Sequence, residues 1–240
     1  MPIREIYDYL DTLSPFSTQA AWDNSGLLIG SFDTSVEQIY LSLDIDSDLV
    51  ERLEPHSLVI THHPLIFSGL KKLDFGRYPS NLIQKMMAKQ CSLIAMHTNF
   101  DVSHLNAYVT QKVFGFESFT CKDFVCYFDV NQNFDDFVLH VKQALNLDIL
   151  HCVKAQNFIQ KCALTTGSGG DLIGTIEADC FLSGDFKYHQ ALEAKENKLS
   201  LIDIGHYESE RYFSACLSEH LKKMSLKVIM SNSKNPFEYK

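Results

Sequence analysis

No apolar run in this chain approaches the roughly 18 residues of a membrane-spanning helix, so no span is expected. The first ten residues carry charges where a signal peptide is apolar, so no secretory leader is expected either. Basic residues are scarce. There are 21 Lys+Arg against 30 Asp+Glu, a formal charge of −9, which speaks against general nucleic-acid binding and against an anionic membrane surface. The seven cysteines, Cys91, Cys121, Cys126, Cys152, Cys162, Cys180 and Cys216, form no Cys-x-x-Cys pair and no zinc-finger spacing. Buried, reduced thiols in a cytoplasmic protein are the expectation. Pro- or Ser-rich linkers, low-complexity tracts and internal repeats are also missing, and Trp22 is the single tryptophan. What remains is a chain with 45% hydrophobic residues, 17 Phe and 10 Tyr, enough apolar surface for a core. Its 240 residues suit one large domain or two smaller ones.

Ile3, Ile6, Tyr7, Leu10 and Leu13 repeat at helical spacing and predict a helix over 3–13. Short β-branched or aromatic runs at 26–30, 38–43, 57–61 and 92–96 predict strands. Between them 79–90 reads as a helix, and Ser103 is placed to cap another that ends at Val113. A second unit starts near residue 122. Its predicted strands are 124–129, 149–153, 160–165, 178–183 and 199–204, with helices over 134–145 and 208–223 and a last strand at 226–230. The alternation predicts an α/β protein of two units with mainly parallel or mixed sheets. The expected division is 1–122 with about 205–240 as the first domain and about 123–204 inserted as the second.

Three apolar strands end in polar residues of one kind. Leu58–Thr61 runs into His62-His63-Pro64. Leu93–Met96 runs into His97, with Asp101 four residues on. Leu201–Ile204 runs into Gly205-His206, with Glu210 four residues on and so on the same helical face. Ligands of open α/β sheets bind at the carboxyl ends of strands. Imidazoles joined by carboxylates suit Zn, Fe, Mn, Ni or Co. Adjacent strand residues point to opposite faces, so His62 and His63 are expected to reach different cations. The set predicts a site for two divalent metal ions per subunit at the strand ends between the domains, held by His62, His63, Asp101, His206 and Glu210. Glu210 is the bridge, and His97 is either a sixth ligand or an outer partner. The competing readings are a packed His97 and an Asp101 that only caps a helix.

Three further segments border these ends. Trp22-Asp23-Asn24-Ser25-Gly26 is either a core tryptophan followed by a turn or a source of substrate contacts, Asp23 and Asn24. Thr166-Gly167-Ser168-Gly169-Gly170-Asp171 reads as a tight turn or, through Gly169, as an anion cradle, although Asp171 would repel a phosphate. His189, in Ser183-Gly184-Asp185-Phe186-Lys187-Tyr188-His189, is a candidate proton-transfer group or a structural histidine.

Taken in order, WDNSGLLIG (22–30), ITHHPLIF (60–67), MHTNFD (96–101), GSGGDLI (167–173), SGDFKYHQA (183–191) and DIGHYESE (203–210) resemble the NIF-three-like family, also described as GTP cyclohydrolase 1 type 2 homologues. The resemblance covers nearly the whole chain. It implies a dinuclear metal centre on His62, His63, Asp101, His206 and Glu210, two related α/β domains and a toroidal homohexamer. It also implies a short form lacking the extra inserted domain of longer members. Ser183 stands where the family more often has Thr. The expected function is metal-dependent hydrolysis of a nucleotide or other phosphate-bearing small molecule, with His97 or His189 moving a proton. The alternative is a metal carrier or regulatory metal-binding partner that turns nothing over.

Overall fold

Strands of about five residues with no polar alternation must be covered on both faces, and the helices between them supply the cover. The computed structural model describes every residue except 223, 225, 226, 232, 239 and 240. The expected helix end at Lys223 and strand start at Leu226 therefore lie outside the described residues. The architecture is mixed α/β with two mixed sheets. The chain divides into two compact units, Met1–Phe100 with Phe213–Lys240, and Asp101–Tyr212. No helix among the described residues is long and apolar enough to cross a membrane.

The first unit holds strands β1 (Gly26–Ile29), β2 (Gln38–Ser42), β3 (Leu58–Thr61), β4 (Ser92–Ala95) and β11 (Lys227–Met230). Their order is β1-β4-β3-β2-β11. Only β1 runs antiparallel, against β4; the other neighbours are parallel. Register places Tyr40, Val59 and Leu93 in one row. That row packs under Leu49 and Val50 of helix Ser47–Arg52 and under Leu82, Ile83 and Met86 of helix Ser80–Ala88. The next rows put Leu41, Ile60 and Ile94 on the opposite face, also fully buried. Helix Phe213–Leu221 packs on β2 and β11. Helix Ile3–Leu13 joins it through the Tyr9 hydroxyl, which donates to the His220 carbonyl at 2.8 Å.

Parallel pairing of β2, β3 and β4 aligns Ser42, Thr61 and Ala95 at one edge. The backbone keeps this alignment just past the strands: the amides of His62, His63 and Met96 donate to the carbonyls of Ser42, Leu43 and Thr61.

The second unit holds β5 (Phe119–Lys122), β6 (Val125–Asn133), β7 (His151–Val153), β8 (Phe158–Ser168), β9 (Cys180–Gly184) and β10 (Ser200–Asp203), ordered β5-β6-β8-β9-β10-β7. β8, β9 and β10 are parallel neighbours and the flanking pairs are antiparallel. One row, Ala163, Phe181 and Leu201, packs with Ile173, Ala194 and Leu199. The alternate residues Leu164, Leu182 and Ile202 are buried on the other face. Helix Phe134–Leu145 forms where its apolar spacing predicts, burying Phe134, Phe137, Val141 and Leu145.

Three sequence expectations change. The helix expected to start at Ser103 begins at Thr98 and continues to Val113, with wide π-type turns at Asp101–Leu105 and Val109–Val113. Its start is capped from a distance: the Asp23 carboxylate accepts the Thr98 amide at 3.1 Å and the Thr98 hydroxyl at 2.5 Å. Asp101 thus sits inside the helix rather than capping it. The helix expected over 208–223 is instead two, His206–Glu210 and Phe213–Leu221, meeting at Arg211 and Tyr212. Finally, the thiols are not all reduced. Cys121 and Cys126 are direct partners across β5 and β6 and are joined as a disulfide. β5 itself was not anticipated, because its residues are mostly exposed and lack an apolar pattern.

Phe137 is fully buried, whereas Leu139 on the same helix is 54% exposed. Phe137→Ala is expected to cost about 3–5 kcal/mol and Leu139→Ala no more than about 0.5 kcal/mol, read from the urea midpoints of the two variants.

Candidate metal centre

In the first unit the polar ends of β2, β3 and β4 bring together Asp44, His62, His63 and His97. Both His62 and His63 lie beyond Thr61, so the alternation of a regular strand no longer separates them. Their ring centroids are 5.1 Å apart, and His97 is 5.1 Å from His62 and 5.5 Å from His63. Possible ligand atoms of the three all lie within 4.8 Å of one another. His62 is fully buried, with the Phe213 ring 5.1 Å away.

Each ring is held at Nδ1 by an oxygen. His62 Nδ1 lies 2.9 Å from the Met96 carbonyl, His63 Nδ1 2.8 Å from Asp44 Oδ1, and His97 Nδ1 2.7 Å from Asp23 Oδ1. A carbonyl or an ionised carboxylate can only accept, so Nδ1 carries the proton in each ring. Nε2 is then the nitrogen that presents a lone pair when the ring is neutral. An imidazole oriented this way by carboxylate or carbonyl is the usual preparation for ligating a metal.

The second unit repeats the device. The end of β8 holds Gly167, and the parallel ends of β9 and β10 lead into Asp185 and His206. His206 Nδ1 donates to Asp185 Oδ2 at 2.7 Å, and His206 Nε2 lies 3.0 Å from Glu210 Oε2, one helical turn on. Carboxylate oxygens of Glu210 and Asp101 lie within 4.8 Å of one another, and both residues are buried. The Thr166 hydroxyl sits 3.0 Å from Asp101 Oδ1 and 2.9 Å from Asn106 Oδ1, with one hydrogen to donate. Asn106 is itself fixed, donating to the Phe124 carbonyl and accepting the Thr166 amide.

Close backbone approach explains the glycines. A side chain at Gly167, where φ is +66°, would run into the Glu210 carboxylate. One at Gly184 would come within 3 Å of backbone at His206, Gly205 and Gly167. The Gly167 and Gly169 amides donate to Ser209 Oγ and Ser183 Oγ. The Gly-rich segment runs from the end of β8 through Gly169 into a 3-10 helix at Gly170–Thr175, and the Gly167 and Gly169 amides are used within the fold.

Asp23 and Asn24, expected as substrate contacts, are occupied as tethers. Asn24 Nδ2 donates to the Ile66 carbonyl. The side chain of Asp23 is fully buried and takes hydrogen bonds from His97, Thr98 and the hydroxyl of Ser25. Burial alone would raise its carboxyl pKa. The hydrogen bond and charge of His97, with the Thr98 and Asn24 donors, outweigh that and hold it far below the ordinary carboxylate range. Trp22 is not in the core but 63% exposed. His189 is exposed on helix Tyr188–Glu196, with the Tyr188 ring beside it. Asp44 and Asp185 were missed, although both follow apolar strands in the same manner as the histidines they hold.

The chain belongs to the Duf34/NIF3 (NGG1p interacting factor 3) family, whose profile matches residues 1–236. It is 52% identical, over the full length of both chains, to a Campylobacter jejuni protein named GTP cyclohydrolase 1 type 2 homolog. It is 37% identical, over 98% of each chain, to the GTP cyclohydrolase 1 type 2 of Helicobacter pylori. Among solved structures, Staphylococcus aureus protein SA1388 superposes with a TM-score of 0.88 at 27% identity, covering 100% of this chain and 99% of its own. A Bacillus cereus protein related to NIF3 shares the fold with a TM-score of 0.86 at 17% identity, over 100% of this chain and 99% of its own.

Asp23→Asn keeps one acceptor oxygen and turns an NH2 group toward the donors of either His97 or Thr98, and should cost about 1–3 kcal/mol at pH 7. Because the folded pKa is depressed, the stabilisation is complete above the ordinary carboxyl value near pH ~4 and fades as pH falls toward the folded value. The gap in urea midpoint between Asp23→Asn and the parent is expected to narrow between pH 7 and pH 3.5.

Proposed function

We propose that this protein is a metal-dependent hydrolase of a nucleotide or other phosphate-bearing small molecule, of the GTP cyclohydrolase 1 type 2 kind. The observation that carries the reading is the shared anchoring of His62, His63, His97 and His206, each with Nδ1 on an oxygen acceptor. The anchoring fixes four tautomers and makes Nε2 the ring nitrogen that a cation would take.

The donor set fits borderline divalent cations, for which imidazole and carboxylate are the usual partners. In this reading His62, His63, Asp101, His206 and Glu210 would hold two cations per chain. Bound cations would acidify water and offset charge on a carbonyl or phosphoryl oxygen. The chain's own part is to position. Asp44 and Asp185 orient His63 and His206. Asp23 orients His97, which serves as a proton-transfer group. The reading extends to the homohexameric ring that the family resemblance implies, which sedimentation equilibrium tests by a mass of six chains.

Elemental analysis of purified protein should give two divalent cations per chain. His62→Ala, His206→Ala and Glu210→Ala should each lower occupancy by tenfold or more and remove hydrolytic opening of the GTP purine ring, followed by ultraviolet absorbance. Chelation should abolish turnover and the same metal should restore it. Full occupancy with no turnover of GTP or of phosphoesters would overturn the hydrolase reading in favour of a metal carrier.

A further inference from the structure

Residues 62–79 join β3 to helix Ser80–Ala88 with no helix or strand between. Loops of this length are uncommon in compact domains unless they serve function. This one starts at His62 and His63 and exposes a large apolar surface through Phe67, Leu73, Phe75 and Tyr78. It also carries Lys71, Lys72 and Arg77 against the single acid Asp74, within a chain of net charge −9. The Arg77–Asp74 pair, 3.4 Å apart, is largely exposed on both sides, so it does little to neutralise the loop.

Phe67 meets Trp22 at the near end of this loop. The rings are 5.8 Å apart and tilted by 43°, and they are 51% and 63% exposed. Both present to His97 at an angle, with centroids at 6.4 Å and 6.1 Å. The pair does not float. Asn24 binds the Ile66 carbonyl, and Asp23 binds His97 and Thr98, so residues next to each aromatic are tied to the histidine cluster. Water contact with two such rings is unfavourable, and nothing in their tethering prevents a ligand from covering them.

We propose that Trp22 and Phe67 are the base-stacking platform of a nucleotide site, with Lys71, Lys72 and Arg77 supplying positive charge for the phosphates. This rests on the phosphate-bearing substrate of the hydrolase reading and names the part of the chain that takes the base. An aromatic face accepts any nucleobase, so the platform contributes affinity rather than choice of base. Placed against His97, it would lay the ring of a bound nucleotide beside the imidazole cluster.

Trp22 is the only tryptophan, so its emission reports on the platform directly. In metal-loaded protein, GTP and guanosine should each quench that emission saturably, while inorganic tripolyphosphate should displace GTP without quenching. Phe67→Ala, at an exposed position, should raise the Kd of GTP about tenfold. Lys71→Ala with Lys72→Ala should raise the Kd of GTP and leave that of guanosine unchanged. Absence of GTP binding by calorimetry, binding without a change in emission, or a parental Kd in Phe67→Ala would each overturn the proposal. Metal-dependent GTP turnover with a silent Trp22 would overturn the platform and leave the hydrolase reading standing. Quenching that depends on Phe67 without turnover would support the platform and overturn hydrolysis.

Discussion

A protonated Nδ1 resting on an oxygen is the interaction around which this chain is arranged. It occurs at His62, His63, His97 and His206, and in each case the acceptor comes from a different strand end than the histidine or from the turn beside it. Such a bond forms only if neighbouring strands end level with one another. Parallel register supplies that level, at Ser42, Thr61 and Ala95 in one sheet; in the other, Ser168 pairs with Gly184 and Ser183 with Asp203. The apolar rows behind these ends hold the register, because a slip of one residue would turn buried Ile, Val and Leu side chains outward.

Much of this was legible in the sequence. Apolar strands that stop at His-His, at His and at Gly-His mark carboxyl ends, and the helices at 3–13 and 134–145 declare themselves by spacing. What could not be read were the contacts made across long sequence separation. The helix start at Thr98 depends on Asp23, 75 residues earlier. The partners Asp44 and Asp185 lie 19 and 21 residues from the histidines they orient. No local pattern carries these pairs, since a single Asp after a strand is commonplace.

Trp22 shows the same limit from the other side. Size and hydrophobicity place a lone tryptophan in a core, and here its neighbours decide otherwise. Asp23 turns inward to His97 and Asn24 reaches Ile66, so the backbone at Trp22 is committed before its own side chain can choose. The exposed ring is the cost of aiming Asp23 at the cluster, and Phe67 shares the exposure.

The buried carboxylates weigh the two uses of this architecture, stability and chemistry, against each other. Asp101 and Glu210 are 7% and 2% exposed. Taking a carboxylate out of water costs several kcal/mol after relaxation, and well-packed apolar residues of similar volume are often as stabilising or more so. A fold that needed only a firm core would therefore place apolar side chains at both positions. It would also have no use for glycine at Gly167, where any larger residue would push into Glu210. Backbone freedom, a buried acid and an oriented imidazole meet there at a cost to stability, and positive charge supplied from outside the chain is what would make that expense favourable.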